Sequence, residues 1–214
     1  MKDYQKEFIE FALSQGVVQF GEFTLKSGRI SPYFFNSGLF NNGASLWKLG
    51  DFYARTIHDS GMKIDVLFGP AYKGIPLVAA VVIAMYQRYG LSYPYCFDRK
   101  EIKDHGEGGM TVGAPLKGKV LIVDDVISAG TSTSHSVNLI HRAGAEPAGV
   151  AIALDRQEIG PQGRSSIQEV EQNYGIKVIS IIKLENLIEF LEMQQDKPEQ
   201  LHSMNKYRKK YGIN

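Results

Sequence analysis

The chain has 214 residues, and its 24 Lys and Arg nearly balance its 23 Asp and Glu, leaving a formal net charge of +1. Apolar residues make up 43% of the chain, with 11 Tyr and 11 Phe, which excludes a disordered protein. Cys96 is the only cysteine, which excludes a disulfide scaffold and a cysteine-based zinc site. The balanced charge also argues against a general nucleic-acid coat.

The N-terminal segment and the longest apolar run both favour a cytoplasmic protein. Lys2, Asp3 and Lys6 interrupt any apolar signal-peptide core. The longest nearly apolar run, residues 75–86, is too short for a membrane span and is typical of a buried helix.

Helices and strands are predicted to alternate along most of the chain. Hydrophobic spacing predicts helices over residues 1–16, 45–59 and 131–142 and from about residue 75, with short strands and turns over 17–40. Short apolar runs predict strands at 64–68, 93–97, 120–123, 148–154 and 178–182. The alternation indicates an α/β fold with a parallel sheet covered on both faces. Ligands of such sheets gather at the carboxyl ends of the strands.

Two acids and a hydroxyl-rich turn follow the strand that ends at Val123. The segment is Asp124, Asp125, Val126, Ile127, Ser128, Ala129, Gly130, Thr131 and Ser132. Small residues at a helix N-terminus suit a phosphate group. Ionised carboxylates accept hydrogen bonds from ribose hydroxyls or bind a metal ion. The alternative is that the acids only cap the following helix.

This segment resembles the phosphoribosyl pyrophosphate (PRPP) signature of class I phosphoribosyltransferases. In that family the acids hold the ribose hydroxyls and the turn binds the 5-phosphate. The resemblance implies a single domain over residues 1–214. Its parallel-sheet core, about residues 45–190, would be flanked by helices, with a small N-terminal hood built mainly from residues 17–40. The signature does not select the nucleobase.

The segment at residues 23–36 resembles the hood of the orotate-specific members of this family. There Lys26 contacts PRPP, and Phe34 and Phe35 lie against orotate. Aromatic rings offer a face to a flat pyrimidine, and a lysine suits an anion. The alternative is a hydrophobic hairpin with an exposed lysine.

Residues 68–76 resemble the pyrophosphate loop of the same enzymes. A strand leads into a Gly-Pro turn, and Tyr72 and Lys73 precede a helix whose first N–H groups suit a phosphate. The resemblance implies that Tyr72 and Lys73 bind PRPP and that the Ala71–Tyr72 peptide bond is cis. The alternative is an ordinary strand-to-helix loop.

Residues 98–109 combine Arg99, Lys100, Lys103 and His105 with three glycines, which predicts a mobile surface loop. A mobile cationic loop can close over a polyanion and exclude water. The resemblance implies that these four residues are catalytic, that the loop reaches the neighbouring subunit's active site, and that Lys103 or His105 protonates the leaving group.

Arg156 follows a strand end, and its planar guanidinium can bind a carboxylate or an amide edge. The resemblance implies that Arg156 and Ser128 contact orotate. Ser128 stands where the family usually has threonine, and it retains the hydroxyl. The alternative for Arg156 is a salt bridge to Asp155 or Glu158.

The resemblance as a whole implies transfer of the phosphoribosyl group of PRPP to orotate in pyrimidine biosynthesis. It implies a homodimer with shared active sites and Mg²⁺ held mainly by PRPP itself, without a dedicated protein metal site. No nucleic-acid or membrane partner is expected. Two alternatives stay open: a phosphoribosyltransferase for another nucleobase, and a PRPP-sensing regulator without catalysis.

Overall fold

The structure is a computed structural model that describes residues 1–25, 27–103, 109–127, 130–194 and 196–213. Within these ranges the helices are α1 (Asp3–Ser14), α2 (Gly43–Ser60), α3 (Gly74–Tyr89), α4 (Thr131–Arg142), α5 (Ser166–Tyr174), α6 (Leu184–Glu192) and α7 (Pro198–Tyr211). The strands are β1 (Val18–Thr24), β2 (Ile30–Phe35), β3 (Val66–Gly69), β4 (Tyr95–Lys103), β5 (Gly109–Gly113), β6 (Lys119–Val123), β7 (Glu146–Asp155) and β8 (Lys177–Lys183).

The main sheet has the strand order β5-β4-β3-β6-β7-β8. Strands β4, β3, β6, β7 and β8 are parallel, which confirms the predicted α/β fold, and β5 pairs antiparallel with β4 at one edge. Both faces of the central strands are buried, because Leu67 faces one apolar cluster and the next residue, Phe68, faces the other. Burial on both faces explains why these strands have continuous apolar sequences.

The predicted loop at residues 98–109 is in part wrong. Residues 98–103 continue β4, and their backbone pairs with β5 from Asp98–Thr111 to Lys103–Gly109. Among the described pairs, β4 pairs with β3 only as far as Phe97, so residues 98–103 are held extended by their backbone pairing with β5 rather than by an apolar sequence. The remaining residues, 104–108, lie outside the described ranges.

The hood is the antiparallel pair of β1 and β2, followed by the 3₁₀ turn Ser37–Leu39. Val18 pairs with Phe35 and Thr24 with Ile30, with a bulge between Phe20 and Phe23. Helix α7 packs against β2 through the buried side chain of Tyr207, whose ring meets the Tyr33 ring edge-on at 6.4 Å. The C-terminal helix therefore supports the hood from behind.

In the part of the chain that the structure describes, no helix is both long enough and apolar enough to span a bilayer. The longest helix, α2, carries an amphipathic pattern, with Leu49, Phe52 and Ile57 buried and Trp47 exposed.

Candidate active site

The two acids of the signature lie where β6 ends, and several contacts fix them. The Asp124 carboxylate is buried, accepting the Asp125 N–H at 2.9 Å and the Ser132 hydroxyl at 3.1 Å. The Tyr53 hydroxyl donates to the Asp124 carbonyl oxygen at 2.7 Å. Among described contacts, the acids meet α4 through the Ser132 side chain rather than through a backbone N–H. The helix-cap alternative therefore receives no support from these contacts.

The environment of Asp124 disfavours its charged form. Burial raises the pKa of Asp124 to about 6, and the neighbouring Asp125 carboxylate adds to the rise. The hydrogen bonds from the Asp125 backbone and from Ser132 oppose it. A carboxylate held this way gains most from a ligand that donates hydrogen bonds to it or brings positive charge.

Asp125 is the meeting point of three segments that are far apart in the sequence. Lys73, which precedes α3, places its Nζ 2.7 Å from Asp125 Oδ2 and 3.2 Å from Ser37 Oγ. The Ser37 hydroxyl, from the hood's 3₁₀ turn, donates to the same carboxylate oxygen. The structure thus brings Lys73 to the acid pair, and the Lys73 side chain is 60% exposed.

The turn before α3 has a cis peptide bond between Ala71 and Tyr72, which confirms that prediction. Tyr72 is largely exposed at this edge. Sequence reasoning assigned no role to Asp98, which holds the turn in place. The buried Asp98 carboxylate accepts the Ala71 N–H at 2.5 Å through Oδ1 and lies 3.2 Å from His135 Nε2 through Oδ2. Asp98 thereby connects β4 to the turn and to α4. In the sequence, its position in a run of charged residues was the signal that could have identified it.

Phe34 and Phe35 do not form one flat surface, because successive side chains of a strand point to opposite faces. Phe34 is 38% exposed and stacks on Phe23 at a centroid distance of 5.4 Å, whereas Phe35 packs against the core. Phe34 therefore offers its ring to the outside while the partly buried Phe35 faces the core, and the predicted contact of both residues with orotate stays a prediction.

Arg156 follows β7 and forms the salt bridge that sequence reasoning gave as its alternative. Its Nη2 and Nε lie 2.6 Å and 2.8 Å from Glu158 Oε1, so the partner is Glu158. Its guanidinium also lies 4.5 Å from the centre of the Tyr33 ring. An ion pair does not exclude ligand binding, because a guanidinium has five N–H donors.

Several predicted site residues cannot be placed. Lys26, His105, Ser128 and Ala129 lie outside the described residues, as do the side chains of Lys100 and Lys103, although the backbone of both lysines belongs to β4. Arg99 is half-buried in β4, directly after Asp98. The remaining residues of the signature turn are in place: Val126, Ile127, Gly130, Thr131 and Ser132.

Comparison with known proteins agrees with this geometry. The sequence matches the phosphoribosyl transferase domain family over residues 38–182. Orotate phosphoribosyltransferase from Thioalkalivibrio sulfidiphilus (strain HL-EbGR7) is 61% identical over 213 residues, covering 100% of both chains. The chain belongs to the orotate phosphoribosyltransferase family. The family member from Nitrosococcus oceani is also 61% identical, over 214 residues, covering 100% of this chain and 97% of its own.

A solved structure of an orotate phosphoribosyltransferase, from Francisella tularensis, superposes with a TM-score of 0.88. It is 46% identical and covers 97% of this chain and 100% of its own. The match extends across the hood and α7, so the whole chain, and not only the signature, follows the orotate phosphoribosyltransferase family.

Proposed function

We propose that the chain transfers the 5-phosphoribosyl group of PRPP to orotate, giving orotidine 5′-phosphate and pyrophosphate in pyrimidine biosynthesis. The observation that carries the proposal is the pair of the buried Asp124 and the partly buried Asp125, which faces Lys73 at the carboxyl edge of the sheet. A ligand with a diol beside two phosphate groups can donate hydrogen bonds from the diol to the two carboxylates and pair its phosphates with the Lys73 ammonium. Family membership over the full chain supports orotate as the acceptor.

The contacts around Asp125 suggest how PRPP binds. Ribose hydroxyls donate to Asp124 and Asp125 in place of the Ser37 hydroxyl and the Lys73 ammonium. Lys73 is then free to turn toward the pyrophosphate, together with the N–H groups at the start of α3. The signature turn, from Val126 to Ser132, receives the 5-phosphate at the N-terminus of α4.

Catalysis rests on electrostatic stabilisation and positioning. The bond from the anomeric carbon to pyrophosphate breaks as orotate attacks, and negative charge accumulates on the leaving group. Lys73, Arg99, Lys100 and Lys103 neutralise that charge, and Lys103 or His105 donates a proton to it. No covalent intermediate with a side chain is needed, since the base itself is the nucleophile.

Mg²⁺ is proposed as the cofactor. The described residues contain no cluster of three or more His, Cys, Asp or Glu side chains fit to hold a metal ion. The oxygen donors of Asp124 and Asp125 fit a hard cation that takes most of its remaining ligands from the phosphates and water. Bound there, the ion would neutralise charge on the pyrophosphate.

The base site is proposed to lie between Phe34, Arg156 and Ser128. Arg156 would bind the orotate carboxylate or an amide edge, and the exposed Phe34 ring would cover the flat pyrimidine. Phe35, partly buried and packed against the core, is proposed to border the base site from the other face of the same strand.

A homodimer with shared active sites is proposed as well. Ile83 and Tyr86, one turn apart on α3, are 54% and 63% exposed, and the neighbouring Trp47 is 58% exposed. The Trp47 indole N–H bonds to Gln87, so α2 and α3 present these side chains together. An exposed apolar patch of this kind favours a protein interface. Size-exclusion chromatography with light scattering distinguishes dimer from monomer.

Mixing two inactive variants tests whether the sites are shared. Lys103→Ala alters the cationic segment 98–109, and Asp125→Ala alters the acid pair. If each site combines the cationic segment of one subunit with the acids of the other, mixed dimers regain one intact site, and about a quarter of the wild-type activity returns on random mixing. A mixture as inactive as its components would contradict sharing.

An ultraviolet assay with PRPP and Mg²⁺ tests the function, using orotate, hypoxanthine, adenine and uracil in parallel. Consumption of orotate alone, abolished by a chelator, supports the proposal. Turnover of another base would show that this base, and not orotate, is the substrate. PRPP binding without any turnover would favour a PRPP-sensing regulator. Cell fractionation tests the proposed cytoplasmic location.

A further inference from the structure

Behind Arg156, three segments that are distant in sequence meet in a partly buried polar cluster. Glu158 accepts the Tyr207 hydroxyl at 2.9 Å through the same Oε1 that pairs with Arg156. Tyr207, from α7, is 5% exposed, and the Glu158 side chain is 15% exposed. The Arg156 guanidinium lies over the Tyr33 ring of the hood. Arg156 is therefore held by an acid on one side and an aromatic ring on another.

The cluster has more positive than negative charge. Glu158 also lies 3.8 Å from Arg29, which bonds to the Ile159 carbonyl oxygen at 2.8 Å. Two arginines thus share one glutamate. Among described residues, the hydrogen bonds of Arg156 use Nε and Nη2 and none uses Nη1. The arrangement fixes the plane of the guanidinium while leaving charge and donors for an anion.

The loop that carries Arg156 is held to the end of α7 by backbone contacts. Ile159 N donates to the Tyr211 carbonyl oxygen at 2.8 Å, and Ile213 N donates to the Gln157 carbonyl oxygen at 2.9 Å. Gln157 has φ 49°, a left-handed conformation that residues other than glycine seldom adopt. A strained residue held by contacts on both sides is typical of a functional loop.

We propose that Tyr207 and Glu158 are positioning residues for orotate recognition, and that α7 thereby forms part of the base site. The inference rests on the proposed role of Arg156. Burial and the Glu158 carboxylate raise the pKa of Tyr207 to about 12, so its hydroxyl remains a donor in neutral solution. Besides Arg156, the Glu158 carboxylate contacts Tyr207 and Arg29 among the described residues. Without the Tyr207 hydroxyl it keeps only the longer contact to Arg29, and Arg156 gains freedom to rotate.

The test is Tyr207→Phe, which removes the hydroxyl and retains the ring contacts with Tyr33. We expect the KM for orotate to rise by roughly tenfold, the effect of one hydrogen bond to a charged group. The KM for PRPP should stay unchanged, because the acid pair and Lys73 are not touched. The control is Tyr211→Phe, one turn further along α7, whose ring lies over Arg29. It should leave both constants unchanged.

A double variant separates this inference from the proposed function. If Tyr207 acts through Arg156, Tyr207→Phe should have no further effect on the KM for orotate in an Arg156→Ala background. Thermal unfolding of each variant is measured to check that the fold is retained. If Arg156→Ala leaves the KM for orotate unchanged, the role of Arg156 and this inference are both wrong. If Arg156→Ala raises it but Tyr207→Phe matches wild type, or raises both constants equally, only the inference is overturned.

Discussion

Replacing Asp124 by asparagine should stabilise the protein while impairing PRPP binding. The ionised Asp124 carboxylate is buried beside Asp125, which raises its pKa from 3.8 to about 6. That difference corresponds to roughly 3 kcal/mol of unfavourable free energy when the group is ionised. The asparagine side chain would keep the acceptor for the Asp125 N–H, and its amide could donate to Ser132. The substitution therefore removes the charge without leaving either partner unsatisfied.

The effect has a definite pH dependence. Since the pKa of Asp124 is higher in the folded state, the folded protein holds this proton between about pH 4 and pH 6 after the unfolded chain has released it. Its contribution to stability is present at low pH and is lost as the pH rises through 6. Asp124→Asn should thus match wild type near pH 4 and exceed it by about 1–3 kcal/mol at pH 8.

Urea denaturation at pH 4 and pH 8, at one protein concentration, measures this difference. The exposed Asp196→Asn serves as control and should have the same stability as wild type at both pH values. At the same time the KM for PRPP should rise at least about tenfold in Asp124→Asn, because a charged acceptor for the ribose hydroxyls is lost. An Asp124→Asn variant that is no more stable than wild type at pH 8 would refute the reasoning.

Three further predictions concern single positions. Lys103→Ala should lower kcat by about 10²-fold or more without changing thermal unfolding, whereas Lys117→Ala, at an exposed lysine, should leave kcat unchanged. A Lys103→Ala variant with the wild-type kcat would contradict the role of Lys103. Tyr33→Phe should raise the free energy of unfolding in urea by about 1 kcal/mol, because the buried Tyr33 hydroxyl has no hydrogen-bond partner among described residues, and a decrease would contradict this. Asp98→Ala should lower kcat/KM for PRPP about tenfold more than Asp98→Asn, which keeps an acceptor for the Ala71 N–H; equal losses would argue against a positioning role.

The central strands and the helices between them could be predicted because burial on both faces leaves a local signal. The helix predicted over residues 131–142 has those bounds in the structure, and Gly144, with φ 74°, follows its end. The first part of β4 was predicted as a strand over residues 93–97, but residues 98–103 gave no such signal. They are mostly charged, and pairing with β5, rather than apolar periodicity, makes them extended.

The residues of the site also differ in whether the sequence alone could predict them. The ribose and 5-phosphate part follows from one contiguous segment, so Asp124, Asp125 and the turn after them were visible in the sequence. The contacts of Asp98 with Ala71 and His135 join three separate elements. A single sequence carries no pattern for such a contact, because each residue type has an ordinary surface role when it is considered alone.

The base end of the site depends most on tertiary structure, and this has a consequence for substrate choice. Arg156 contacts Glu158 and the Tyr33 ring of the hood, Glu158 in turn accepts a hydrogen bond from Tyr207 in α7, and none of these residues belongs to the PRPP signature. Changes in α7 can therefore alter recognition of the base while the signature remains intact.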